Sequence, residues 1–210
     1  MTGPEAASVE PFDAAPILSS LERHGVEYVV VGGFAAVVHG ATRPTRDIDI
    51  TPATTPENLD RLAAALRELD ARIRTDAEPD GLPFSTSGES LAGQRVLNLQ
   101  TRHGELDLTI RPAAFRGGYD DLTPGASRRI IGGVEVLVAA LQDVIRSKET
   151  AARRKDQEAL PELYRLAGAT HRPRAAQPPS ETTPANPPLS GAERITAARQ
   201  RAAQRRPDQT

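Results

Sequence analysis

Hydrophobic positions along the chain switch repeatedly between a period of two and a period of 3.6, which predicts strands alternating with amphipathic helices. Residues 14–24 carry the helical period, with Asp13 as N-cap, Phe12 set to staple against Ile17, and Gly25 as the stop. The following segment, residues 26–31, is nearly all β-branched or aromatic and reads as a buried strand. It ends at Gly32-Gly33, where a short helix over residues 34–39 begins before Gly40. After a loop at residues 41–45, the run Arg46-Asp47-Ile48-Asp49-Ile50 alternates strictly, so Ile48 and Ile50 share one strand face and Asp47 and Asp49 the other. Thr55 and Pro56 then open a helix with Leu59, Leu62, Leu66 and Leu69 on one stripe.

Residues 77–93 are polar and rich in Gly, Ser and Pro, and predict no regular structure. Residues 95–100 and 105–111 form a hairpin joined by Thr101-Arg102-His103-Gly104. In its second strand Leu106, Leu108 and Ile110 face the core, which turns Glu105, Asp107 and Thr109 to the other side. A smaller hairpin turns at Gly132-Gly133, ahead of residues 134–138. The remainder is helical. Leu141, Val144 and Ile145 mark the buried stripe of one helix, and Asp156 reads as the cap of another that carries Leu160, Leu163 and Ala167, with Pro161 kinking or restarting it. The pattern predicts an α/β (α+β) fold, a mixed sheet flanked by helices.

With 210 residues the chain is long enough for one domain with a real core. No window approaches the roughly 18 consecutive apolar residues of a membrane span, so no membrane partner is expected. The chain has no cysteine, which excludes disulfides, thiolate metal sites and cysteine nucleophiles. Met1 to Pro11 lack the basic start and apolar stretch of a secretory signal, and the expected location is cytoplasmic. The net charge of -2 hides an asymmetry, since residues 171–210 hold seven Arg against Glu181, Glu193 and Asp208. That segment also has seven prolines and no aromatic residue, too little apolar surface to offset chain entropy. The expected organisation is a disordered N-terminus (1–11), one folded domain (12–168) and a disordered Pro/Ala/Arg-rich tail (169–210), whose basic charge is either simply solvated or touches nucleic acid.

Two carboxylates at i and i+2 of one strand project to the same side and repel unless a cation lies between them. Such hard oxygen ligands suit magnesium, which keeps waters and takes further ligands from substrate phosphates. An isolated Asp-x-Asp also occurs by chance and in glycosyltransferases. Here it follows Gly32-Gly33, a strand-to-helix turn able to hold a phosphate chain on backbone N–H groups, and precedes Asp107 on the non-core face of a later strand. Together these are the parts of a two-metal phosphoryl-transfer site. Lys148 falls seven residues after Leu141, so an apolar helix stripe ends in a positive charge that either snorkels to solvent or meets an anion.

The stretch from Val31 to Ile50, Val-Gly-Gly-Phe-Ala-Ala-Val-Val-His-Gly-Ala-Thr-Arg-Pro-Thr-Arg-Asp-Ile-Asp-Ile, resembles the signature of the polymerase-β-like nucleotidyltransferase superfamily. Within it the chain is most similar to the bacterial group around the AbiEii abortive-infection toxins. Gly104-Glu-Leu-Asp107-Leu, Leu141-Gln-Asp-Val-Ile-Arg-Ser-Lys148 and Arg153-Arg-Lys-Asp156 extend the resemblance over residues 25–168. One departure is Gly33, where many members have Ser. The resemblance implies a mixed-sheet nucleotidyltransferase fold with C-terminal helices. It implies two Mg2+ ions, with Mn2+ as a substitute, bound and used catalytically through Asp47, Asp49 and Asp107. Nucleotide binding would fall to Gly32, Gly33, Arg43, Thr45 and Lys148.

On that reading the protein moves a nucleoside monophosphate from an NTP, ATP among the candidates, to an acceptor hydroxyl. A tRNA end or a protein side chain is the favoured acceptor, and an antibiotic the alternative. The toxin resemblance adds an antitoxin protein as a partner. A competing expectation is a nucleotidyltransferase fold that binds without turnover, although it leaves three carboxylates unexplained. Asp76-Ala-Glu-Pro-Asp-Gly81 begins like a calcium loop but has Ser87 where a Glu is needed. No P-loop, dinucleotide or His-Glu-x-x-His motif is present.

Overall fold

In the computed structural model, which describes residues 12–168, the first helical period becomes helix α1 (Ala15–Arg23). The segments expected to be disordered, 1–11 and 169–210, lie outside the described residues. Asp13 Oδ1 accepts from the Ala15 N–H at 2.9 Å. The Phe12 ring packs edge-on against Phe34, with centroids 6.2 Å apart. Strand β1 (Tyr28–Val31) follows, and helix α2 (Gly32–Val38) begins two residues earlier than its apolar period suggests. The reason is Gly32, whose positive φ of 63° turns the chain from strand to helix within one residue.

Strand β2 (Asp47–Pro52) pairs antiparallel with β1, and helix α3 (Pro56–Glu68) starts where Thr55 accepts from the Asn58 N–H. The two-residue strand β3 (Arg72–Ile73) carries no periodic signal and exists through its pairing with β4. The polar stretch 77–93 is not wholly irregular. It contains helix α4 (Gly88–Ala92), capped by Ser87 Oγ and anchored by buried Leu91, a single apolar residue that gives no stripe to read. Strands β4 (Val96–Thr101) and β5 (Gly104–Thr109) form the expected hairpin, tightened to a two-residue turn because Thr101 pairs with Gly104 and donates its hydroxyl to the Gly104 carbonyl.

Helix α5 (Tyr119–Leu122) and a 3-10 turn (Thr123–Gly125) lead to strands β6 (Ser127–Ile131) and β7 (Val134–Val138). Their turn is Gly132-Gly133, with both φ angles positive as a hairpin of this length requires. The sheet order is β3-β4-β5-β2-β1-β7-β6, and it is mixed because β2 runs parallel to β5 and β7 parallel to β1. Helices α6 (Leu141–Ala151) and α7 (Arg154–Leu166) pack together, with α6 also against α2. Helix α7 continues through Pro161 without interruption, and its N-cap is Arg153, not Asp156.

Ile48, Ile50, Leu99, Leu106 and Leu108 are fully buried in one core with Leu18 and Leu21 of α1 and the leucines of α3. Each such side chain contributes roughly 1.5–3 kcal/mol by burial. That investment fixes strand register, and register decides which polar residues meet on the opposite face. Among the described residues, no helix is long and apolar enough to cross a membrane.

Candidate active site

The parallel register of β2 and β5 sets Asp49 beside Asp107 and Asp47 beside Glu105. Because Ile48, Leu106 and Leu108 point into the core, alternation sends these four acids to the other face. Asp47, Asp49 and Asp107 converge there, each offering a carboxylate oxygen within 4.8 Å of the others. Glu105 is drawn aside by Arg74, which contacts both Glu105 and Asp107.

Each member of the trio is held from a different element. The Gly33 N–H at the start of α2 donates to Asp49 Oδ2 at 3.0 Å. A Cβ on Gly32 would lie 2.1 Å from that same oxygen, so close approach demands glycine here independently of φ. The turn expected to cradle phosphate therefore spends one donor on Asp49. Thr45 donates its hydroxyl to Asp47 Oδ1. Asp107 accepts from Arg74 Nη2 at 3.0 Å and sits opposite Asn98 across the hairpin.

Burial and crowding raise the affinity of Asp49 and Asp107 for protons. Burial, and then the charge of Asp47, push Asp49 up to about 6, against the pull of the Gly33 N–H. Burial also raises Asp107, with Arg74 opposing and Asp47 and Glu105 adding to the rise. This is the electrostatic condition of a site that wants a cation. Three carboxylates with no nitrogen or sulfur donor among them suit a hard divalent ion such as magnesium.

Facing the acids is a cationic wall from α6 and α7. Asp156, 1% exposed, accepts from Lys148 Nζ at 3.2 Å and from Arg153 Nε at 2.6 Å. Burial pushes the Asp156 carboxyl up, but the Arg153 hydrogen bond and the Lys148 charge outweigh it and hold it below the usual range. The reading of Asp156 as a helix cap is thus replaced: its carboxylate clamps two cations and bonds no helix N–H. Lys148 turns inward to a buried anion instead of snorkelling to solvent.

Two clefts open on this arrangement. One, about 390 Å³, is lined by Asp107, Asn98, Arg95, Arg111 and Phe115. The other, about 280 Å³, is lined by Asp47, Gly33, Thr45 and Arg43. Asp49, Gly32, Lys148, Arg153, Lys155 and Asp156 line both. Arg43 reaches across to α7, near the Lys155 carbonyl and Glu158 at 3.4–3.5 Å. Every candidate singled out in the sequence thus borders one cavity or the other. Sequence reasoning assigns Arg74 and Arg153 no role in the site and Asp156 only that of a helix cap; Arg153 and Asp156 at i and i+3 are a legible pair, whereas nothing local marks Arg74.

The sequence matches the family described as "Nucleotidyl transferase AbiEii toxin, Type IV TA system" over residues 17–164. No curated protein matches it. Among solved structures it is similar to the antibiotic-resistance factor ANT(2'')-Ia, at 17% identity over 90% of each chain with a TM-score of 0.46. It is also similar to the lincosamide antibiotic adenylyltransferase LnuA in its lincomycin-bound form, at 17% identity over 72% of this chain and 94% of that one, TM-score 0.46. An antigenic nucleotidyltransferase-like protein from Paracoccidioides brasiliensis matches at 17% identity over 91% of this chain and 86% of that one, TM-score 0.46. With most of its length inside the family match, the chain belongs to the AbiEii nucleotidyl transferase family.

Proposed function

We propose that the protein is a magnesium-dependent transferase that moves a nucleoside monophosphate from an NTP to a hydroxyl of RNA or protein, and acts as the toxin of a toxin-antitoxin pair. The observation that carries this reading is the convergence of Asp47, Asp49 and Asp107 at the junction of two clefts. A transfer reaction needs a donor and an acceptor to meet at one phosphorus. The cleft bearing Gly33, Thr45 and Arg43 takes the NTP, and the cleft bearing Asp107 takes the acceptor.

Asp47 and Asp49 would hold one ion and Asp49 and Asp107 a second. When bound, magnesium neutralises the triphosphate and makes the acceptor hydroxyl more acidic. The protein's own residues do the rest. Thr45 and the Gly33 N–H keep Asp47 and Asp49 in place before substrate arrives. Asp107, on the wall of the acceptor cleft, is placed to take the proton of the acceptor hydroxyl as that oxygen attacks the α-phosphorus. Lys148 and Arg153, clamped by Asp156, meet the charge that gathers on the departing pyrophosphate, with Arg43 at the mouth.

Arg95 and Arg111 favour an anionic acceptor over a cationic antibiotic. Both line the acceptor cleft, and neither has an ion-pair partner among the described residues. Incubation with each α-labelled NTP, Mg2+ and either total tRNA or total protein tests the reading. Label in one macromolecule with equal pyrophosphate release is expected; no label and no pyrophosphate in any combination contradicts it.

A further inference from the structure

The geometry points to Arg74 as a positioning residue that separates Glu105 from Asp107 and so decides which carboxylates the metal ions meet. This inference rests on the reading of Asp47, Asp49 and Asp107 as metal ligands. Strand β5 presents two acids on the site face, Glu105 and Asp107, and the β2 register sets them beside Asp47 and Asp49 respectively. By position alone the cluster has four members. Only three converge, because the Arg74 guanidinium engages Glu105 through Nη1 and Asp107 through Nη2, the latter at 3.0 and 3.3 Å from its two oxygens.

The placement of Arg74 explains the reach. It follows the edge strand β3, and its N–H donates to the Asn98 carbonyl on β4 at 2.8 Å. From there the side chain crosses the Asn98 position to β5, two strands in from the edge. Its side chain is 27% exposed against 41% for Glu105 and 15% for Asp107, so the guanidinium roofs the inner acid more than the outer. A single planar cation with two terminal nitrogens spans two carboxylates at i and i+2, which a lysine's point charge cannot do. Glu105 is thereby kept as Arg74's partner while Asp107 is left oriented toward Asp49.

A cation beside a metal ligand opposes the metal, which gives the idea a readout opposite in sign to that of a simple structural ion pair. Arg74→Gln removes a positive charge from Asp107 and frees Glu105 to join the cluster. Mn2+ binding, followed by electron paramagnetic resonance of the free ion, is expected to tighten by about tenfold. Pyrophosphate release with NTP and total tRNA is expected to fall by roughly tenfold to a hundredfold in kcat with little change in KM, because Asp107 is displaced. Adding Glu105→Gln to Arg74→Gln is expected to restore most of the turnover. Glu105→Gln alone, a folding-neutral change at a half-exposed position, is expected to keep wild-type Mn2+ affinity, since Glu105 does not reach the ions.

Unchanged or weaker Mn2+ binding in Arg74→Gln overturns the proposal, as does a double variant no faster than the single one. A large loss of Mn2+ affinity in Glu105→Gln overturns it independently of how Arg74 variants fold. Wild-type protein that binds no Mn2+ refutes the metal reading itself, an outcome distinct from either of these.

Discussion

The acidic and cationic halves of the site are built by opposite means. The acids sit on neighbouring strands whose register is fixed by buried Ile48, Ile50, Leu106 and Leu108, so core packing forces like charges together. The cations sit on α6 and α7 around one buried carboxylate, so Lys148 and Arg153 are held by the charge they pair with. One half stores repulsion that a bound cation relieves; the other is partly neutralised internally, two cations sharing one carboxylate. Substitutions in the first half should therefore cost function while sparing stability, and those in the second should cost both.

The sharpest contrast comes from Asp47→Asn and Asp49→Asn. Either is expected to lower nucleotidyl transfer by at least about a hundredfold while the metal-free fold is as stable as wild type or more so. A destabilised fold with residual activity near wild type would erase the distinction between the halves. Asp156→Asn should do the reverse first: with Lys148 left almost buried and unpaired, urea unfolding should show a loss of about 3 kcal/mol. A variant as stable as wild type would mean that Asp156 is no clamp.

Lys148→Met lies between these. Removing a charge-assisted contact to the triphosphate should cut NTP use by roughly tenfold to a hundredfold. Spacing along the helix alone suggests no effect on stability, since methionine suits an apolar stripe. The pairing with Asp156 changes that expectation to a loss of about 1–2 kcal/mol, partly offset because Arg153 still pairs with the same carboxylate. Wild-type NTP kinetics in this variant would leave Arg43 as the main cation of the nucleotide cleft.

The acidic half was legible because it is local. Alternation alone sorts Asp47 and Asp49 from Ile48 and Ile50, and Asp107 from Leu106 and Leu108. What alternation does not reveal is that β2 and β5 lie side by side in parallel, which is a property of the whole sheet. The cationic half was half-read. Helical spacing brings Lys148 to the end of a buried stripe, but the rules for caps assign Asp156 to its own helix terminus and take no account of a lysine eight residues earlier. Arg74 was illegible: it lies 33 residues from Asp107, and an edge strand of two residues carries it there. The helix inside 77–93 was hidden for a related reason, with Leu91 its one buried apolar side chain.

The most direct test needs neither the acceptor nor the nucleotide base. In metal-free protein, burial and the neighbouring Asp47 push Asp49 up to about 6, above the value of an unfolded aspartate at about 3.9. The folded state then binds the proton more tightly, so this group makes stability rise as pH falls from about 7 through 6, with the gain complete near 4. A rise of about two pH units corresponds to on the order of 3 kcal/mol. The measurement is the melting temperature of wild type and Asp49→Asn at neutral pH, without and with Mg2+ or Mn2+. Metal should raise the melting temperature of wild type; the variant should start at or above the metal-free wild type and respond little. A variant that melts lower than wild type without metal, or rises with metal as much as wild type does, would contradict Asp49 as the carboxylate at the centre of the metal site.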